Sequence, residues 1–304
     1  MRKVEDVHIG KMSVNELLKQ YSRCGGFMAQ HLADAVDILE EMLKEKKCLK
    51  FLSFPACIIA TGTRGVIRDA LERKWFDVVV TTCGTLDHDI ARSFKDYYHG
   101  SFFMDDRELH RKGIHRLGNV LVPKESYGEI IEQKMREWLP EIAEKGELST
   151  YELCWELGKR LKEDSILYWC YKNNIPVIVP GITDGAVGYQ LWQFSQDHDL
   201  RINVMKDEKL LCDLVWNNEK SGALIIGGGI SKHHVIWWNQ FKNGLDYAVY
   251  LTTAVEWDGS LSGARMKEAI SWGKVSEKAK YITVEGEATV LLPIIFSALV
   301  ERLE

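Results

Sequence analysis

Short apolar runs rich in β-forming residues recur along this chain, and helical patterns lie between them. The runs occupy residues 49–54, 78–82, 177–179, 202–205, 224–226, 248–252 and 281–284. Their apolar residues are continuous rather than alternating, as in strands buried on both faces. Helical patterns fall near residues 64–74, 127–138, 151–173 and 234–243. Strands separated by helices specify an α/β fold with a doubly wound, mostly parallel sheet and right-handed crossovers.

Two helices precede the first strand. Ser13 and Glu16 form a capping-box pattern. Leu32, Val36, Leu39 and Leu43 then mark one face of a helix over residues 31–45. Residues 1–47 therefore read as an N-terminal helical extension and residues 48–304 as one domain. Proline is sparse and no Pro/Gly/Ser-rich linker divides the chain. A second capping box, Ser149 with Glu152, opens the 151–173 helix. Residues 105–122 are polar, with two glycines, and read as an excursion beside the sheet with a short hairpin.

Charge and cysteine usage exclude several classes. A net charge of −5 leaves no electrostatic footprint for nucleic acid. Seven cysteines, an odd count without a C-x-x-C pair, argue against a disulfide framework or a zinc site and for a reduced, cytoplasmic setting. The first ten residues are charged and lack the apolar core of a signal peptide. No run of about 18 apolar residues suggests a membrane span.

In open α/β sheets, ligands bind at the carboxyl ends of the strands. Five small or polar clusters fall there: 60–63, 81–84, 183–185, 227–229 and 252–254. Small residues let a cofactor approach backbone N–H groups, and helix N-termini favour pyrophosphate. The G-x-G-x-x-G fingerprint is absent, so the coincidence of the five clusters carries the case for a dinucleotide or nucleotide. Asp184 and Asp258 are turn-capping carboxylates or partners for a ribose or a cationic amine. His233 and His234 are adjacent on a helix and cannot share a metal, so no metal is expected. His233, just after the glycine triplet, suits hydrogen bonding or proton handling. Trp237 and Trp238 read as core or subunit-interface residues.

The segment 256–275, EWDGSLSGARMKEAISWGKV, ends on Lys274 beside Trp272 and Gly273. An amine nucleophile must be neutral, whereas an ordinary lysine, of pKa ~10.4, is neutral in only about one molecule in two thousand at pH 7. Burial beside an indole disfavours the ammonium form. The plainer alternative is a surface lysine with a packed stem. Trp272 and Lys274 share a face if the chain is extended and diverge if it is helical, and Gly273 leaves both open.

SGARMKEAISWGK over residues 262–274 resembles the lysine segment of the deoxyhypusine synthase family. GGGISKHH (227–234), NGLDYAVYLTTA (243–254), FDVVVTTCG (76–84), PGITDG (180–185) and CGGF (24–27) follow in that family's order and approximate spacing, so the resemblance covers nearly the whole chain. It implies a Rossmann-like NAD-binding fold and transfer of an aminobutyl-type group from a polyamine or related amine to a lysine of a translation factor, through an imine on the enzyme's own lysine. It assigns Lys274 as nucleophile and His233 as the histidine near the reacting carbons. Trp272, Glu268, Asp258, Gly259, Ser260, Asp87 and His88 become donor-site residues. Ala56, Ala60, Thr82, Cys83, Gly84, Asp184, Gly228, Thr253, Ala254, Ser262, Glu287 and Ala288 become NAD-site residues. A homotetramer is implied as well. The chain departs from the eukaryotic pattern in two ways: Leu261, Tyr189 and His88 stand where that pattern has acids, and residues 56–60, ACIIA, replace its Ser/Asn-rich first NAD loop. They favour the archaeal-type branch and a donor with a shorter or less charged end, such as agmatine or putrescine. A small-amine acceptor, as in homospermidine synthesis, and a non-catalytic NAD-binding paralogue are the competing readings. An NAD-consuming deacylase would need a zinc-binding cysteine quartet that is absent.

Overall fold

The computed structural model describes residues 1–304, which form two compact units. Unit 1 comprises residues 1–54, 75–77 and 211–304; unit 2 comprises residues 55–74 and 78–210.

Unit 1 is built on four parallel strands, Cys48–Ser53, Lys220–Ile226, Leu245–Thr252 and Val275–Glu285. Lys220–Ile226 pairs with Cys48–Ser53 on one side and with Leu245–Thr252 on the other, and Val275–Glu285 closes the row. Every residue of Tyr247–Thr252 is buried, as continuous apolar strands require. Burying each Leu, Val or Phe side chain contributes roughly 1.5–3 kcal/mol. The helices Gly229–Asn239 and Ala288–Leu303 follow strands directly. The N-terminal helices Val14–Tyr21 and Phe27–Lys44 pack into the same unit. The capping box of Ser13 and Glu16 forms as expected. Nδ1 of His31 lies 3.0 Å from the Thr283 carbonyl, and Arg302 bridges Asp37 and Glu40.

Unit 2 holds the parallel pair Val78–Val80 and Val177–Ile178 with helices Cys83–Phe94, Gly128–Ala143 and Ala186–Ser195. The excursion supplies a hairpin, Ile114–Leu117 and Val120–Pro123, to a three-stranded antiparallel patch whose third strand, Tyr98–His99, precedes it. Two sequence expectations need correction. Residues 151–173 form two helices, Thr150–Lys159 and Ile166–Lys172. They cross closely at Gly158, where a Cβ would sit 2.2 Å from the Leu167 carbonyl oxygen. The second helix starts where buried Asp89, paired with Arg64, accepts the backbone N–H groups of Ile166 and Leu167. Residues 202–205 are not a sheet strand either: only Arg201–Ile202 pairs, with Glu147–Leu148, and a helix begins at Val204. No helix is long and apolar enough to cross a membrane.

Candidate active site

Beyond the Leu245–Thr252 strand, the chain turns through residues 253–265 into the short helix Met266–Ile270. That helix ends in a Schellman arrangement. Gly273 takes φ +68; its N–H donates to the Ile270 carbonyl, and the Lys274 N–H reaches back to Ala269. The Lys274 carbonyl accepts from Leu245 N–H, and the Val275–Glu285 strand begins at the next residue. The backbone of Lys274 is thus held from both sides.

Its side chain lines a cavity of about 600 Å³. Nζ of Lys274 lies 5.2 Å from the centre of the Trp272 ring and 6.0 Å from that of Trp237, within reach of cation–π attraction. His233 and Trp237, one turn apart on Gly229–Asn239, stack with centroids 5.8 Å apart. Burial, and then the nearby Lys274 charge, hold the His233 imidazole below its ordinary pKa. Glu268 is the one carboxylate among the lining residues, against the cations Lys232, Arg265 and Lys274.

The 258–264 loop forms another wall. The Asp258 carboxylate accepts from Ser260 N–H and Oγ, and these bonds hold it below the usual carboxylate range. Ser260 Oγ also bonds Ser262 Oγ at 2.9 Å. Gly228, just before the Gly229–Asn239 helix, lies against Ser262: a Cβ there would sit 2.5 Å from Oγ and 2.7 Å from Cα. No side chain caps the helix N-terminus at Gly228. Gly228 is thus small because Ser262 fills the space beside it, while an uncapped helix N-terminus is the kind of place that attracts an anion. Glu287 differs, because its carboxylate accepts from Val290 N–H and caps the Ala288–Leu303 helix.

In unit 2, Ala56, Gly84, Cys83 and Gly185 approach closely. A Cβ on Gly84 would meet that of Ala56 at 2.9 Å, and one on Gly185 would meet Cys83 Sγ at 2.7 Å. Thr82 precedes the Cys83–Phe94 helix without a side-chain cap. Asp184 is exposed in the turn after Val177–Ile178, and Ala60 is buried at the end of a short 3₁₀ turn. Burial pushes the Cys83 thiol up to about 12. Asp87 caps the Ala186–Ser195 helix through Ala186 and Val187 N–H and accepts from the Tyr127 hydroxyl. Burial is the largest cause raising its pKa. Nδ1 of His88 is 2.9 Å from the Tyr97 hydroxyl, and burial brings its imidazole down to about 4.

A deoxyhypusine synthase family model matches residues 16–299. The chain belongs to the deoxyhypusine synthase family. It is 54% identical over 296 residues to a protein of Picrophilus torridus named a probable deoxyhypusine synthase, covering 96% of this chain and 95% of that one. It is 52% identical over 282 residues to a Sulfolobus acidocaldarius protein of the same name, covering 92% and 90%. A crystal structure from Entamoeba histolytica, itself assigned to deoxyhypusine synthase only provisionally, shares the fold at TM-score 0.67 and 21% identity, covering 94% and 93%. Membership makes the chain an aminoalkyl transferase of a family that works with NAD.

Within the family reading, Lys274, His233, Trp272, Glu268 and Ser260 line one cavity. Asp258 and Gly259 belong to the same loop without lining it. Ser262, in the same loop, meets Gly228, and Ala254, whose N–H donates to Thr252 Oγ1, and exposed Thr253 precede the loop. Trp237, read from sequence as core or interface, lines the cavity and is 41% exposed. Lys232 and Leu261 also line it and were not singled out as site residues. Leu261 could be noticed only as a departure from the family pattern, and Lys232 only as a member of the GGGISKHH segment, with nothing to give it a role.

Proposed function

We propose that the chain transfers an aminoalkyl group from a diamine or related amine to a lysine of a translation factor, with Lys274 as the transient covalent carrier. The supporting observation is the Lys274 amine on the wall of an aromatic-lined cavity, facing His233 and Trp237. NAD, when bound, would accept a hydride from the donor carbon next to nitrogen and return it to the final imine. The Lys274 amine adds to the donor's C=N carbon, and the former nitrogen substituent leaves as a free amine. The acceptor lysine then displaces Lys274 from the new imine. His233, unprotonated near neutral pH, takes the proton released as the Lys274 amine adds and returns it to the departing amine. Trp272 and Trp237 hold the donor's cationic end, and Glu268 balances one ammonium.

Among the cofactor candidates, Gly228, Ser262, Thr253, Ala254 and Ala288 are the unit 1 residues we assign to NAD. Thr82, Gly84 and Asp184 rest on their match to the family and on the uncapped N-terminus at Thr82, and Ala56, Ala60 and Cys83 on their place in the corresponding loops. A homotetramer would cover the exposed Trp257 and Trp272, and a cytoplasmic setting suits seven free thiols. The protein is to be incubated with NAD and a panel of amines, reduced with borohydride and mapped by mass spectrometry. An adduct on Lys274, absent from Lys274→Ala, is expected. NADH formation without any adduct would point to a plain amine dehydrogenase and overturn the proposal. A labelled product of protein size, rather than a small polyamine, identifies the acceptor.

A further inference from the structure

Lys232 sits one residue before His233 on the Gly229–Asn239 helix, yet its side chain takes another course. It is 6% exposed and runs beneath the 258–264 loop. Nζ donates to the Ala264 carbonyl at 2.7 Å and to the Leu261 carbonyl at 3.4 Å, and lies 3.9 Å from the centre of the Tyr250 ring. The intervening Ser262 carbonyl accepts from the Tyr250 hydroxyl and from Thr252 Oγ1. Three carbonyls of one loop are therefore gripped by three side chains from two elements of unit 1.

Such a grip has a cost. Removing an ammonium from water is unfavourable unless its donors are matched, and burial brings Lys232 down to about 8, with Glu268 opposing and Arg265 adding to the shift. The loop has little slack: a Cβ on Gly263 would lie 1.7 Å from the Val255 carbonyl oxygen. Leu261 and Ser260, carried by this loop, line the cavity that holds Lys274.

We propose that Lys232 is a positioning residue for the transfer reaction, fixing the 258–264 loop and through it the cavity in which Lys274 meets the amine donor. The inference rests on the reading of Lys274 as nucleophile. Lys232 is not a second nucleophile, since its Nζ is buried and committed to loop carbonyls and a ring face.

Two variants test it. In Lys232→Met, hydrogen exchange of the amides of residues 258–265 should accelerate. KM for the amine donor should rise about tenfold, more than kcat falls, because ground-state binding is lost while the nucleophile remains. Borohydride should still trap the adduct on Lys274 at saturating donor. Lys232→Arg, which keeps a cationic donor, should restore slow exchange and bring KM to within about threefold of wild type. If the Met variant does not fold, Lys232→Gln takes its place, with an intermediate loosening expected. Unchanged exchange and KM in a folded Met or Gln variant would overturn the proposal, as would an adduct on Lys232. Should the wild-type protein trap no adduct with any amine, the reading of Lys274 falls, while the exchange comparison still decides whether Lys232 anchors the loop.

Discussion

The side-chain nitrogen of Lys274 stands 5.2 Å from the centre of the Trp272 ring because Gly273, between them, takes a left-handed step at φ +68. Neither a strand nor a helix brings the two residues to one cavity; the Schellman turn does. A Cβ at Gly273 would meet nothing within 4 Å, so only the backbone preference opposes a side chain there. Gly273→Ala should cost roughly 1–2 kcal/mol of stability. It should also slow adduct formation on Lys274 about tenfold or more, because a nucleophile misplaced by an ångström loses rate. Gly273→Asn, which tolerates the left-handed region better, should recover part of the loss. Timed borohydride trapping measures both, and equal rates for all three proteins would refute the role of the turn.

Gly228 poses the opposite problem. Its φ of −104 suits any residue, but a Cβ would strike Ser262 at Oγ, Cβ and Cα. Gly228→Ala must push the 258–264 loop away, and NAD affinity should fall about tenfold, equivalent to 1.4 kcal/mol. Gly259→Ala, on the same loop with open space around its Cβ, is the control and should bind NAD normally. Titration of nicotinamide binding by fluorescence compares them.

Local sequence carried much of this arrangement. The capping boxes at Ser13 and Ser149 form as their spacing demands, because a cap involves only neighbours in the chain. The parallel strands were legible from continuous apolar runs, since two-sided burial leaves no alternation. The break between Lys159 and Ile166 was not legible. It depends on Gly158 meeting Leu167 and on Asp89, far away in sequence, capping the second helix. Lys232 was invisible for the same reason: a lysine after a glycine triplet is ordinary until the fold lays a loop over it. The acids at Asp87 and Glu287 matched family positions, but which of their oxygens a helix N-terminus occupies is settled only in three dimensions.

His233 should titrate below the ordinary histidine value of about 6.5. Its imidazole is then the free base at pH 7, and its contribution to the transfer rate is lost only as pH drops through that lowered value. An inflection of the pH–rate profile below 6.5 should belong to His233, and His233→Gln should remove it while lowering kcat on the order of a hundredfold. Burial is the larger cause and Lys274 the smaller. In Lys274→Met, the His233 resonance should therefore titrate higher than in wild type yet still below 6.5. A His233 resonance titrating above 6.5 in the wild type would remove His233 as the proton acceptor.

Asp207 offers a stability test independent of catalysis. Its carboxylate accepts the N–H groups of Thr150 and Tyr151 at the start of the Thr150–Lys159 helix. Burial, the largest cause, nevertheless raises it to about 6. The native state thus holds this proton more tightly than the unfolded chain, whose value is near 3.9. Above pH 6 the cost of the buried charge is fully present, and it is relieved as pH falls from 6 towards 4. The stability of wild type relative to Asp207→Asn, which cannot titrate, should drop by on the order of 1–3 kcal/mol between pH 4 and 7. Urea unfolding at the two pH values checks the sign, and a difference that rises with pH would contradict it.

Leu261 is the position from which donor charge can be reset. It adopts φ +60, a region where leucine is strained and aspartate less so, and it is 62% exposed on the cavity wall. With Glu268 as the one lining carboxylate, the cavity suits one ammonium better than two. Leu261→Asp adds a second carboxylate at a backbone position that accepts it. The ratio of kcat/KM for a triamine over a diamine should then rise about tenfold at low salt, worth 1.4 kcal/mol, and shrink as ionic strength increases. The diamine's own kcat should change little, because Lys274, Trp272 and His233 are untouched. A ratio that stays at the wild-type value would mean that donor length, not charge at this position, decides which amine is used.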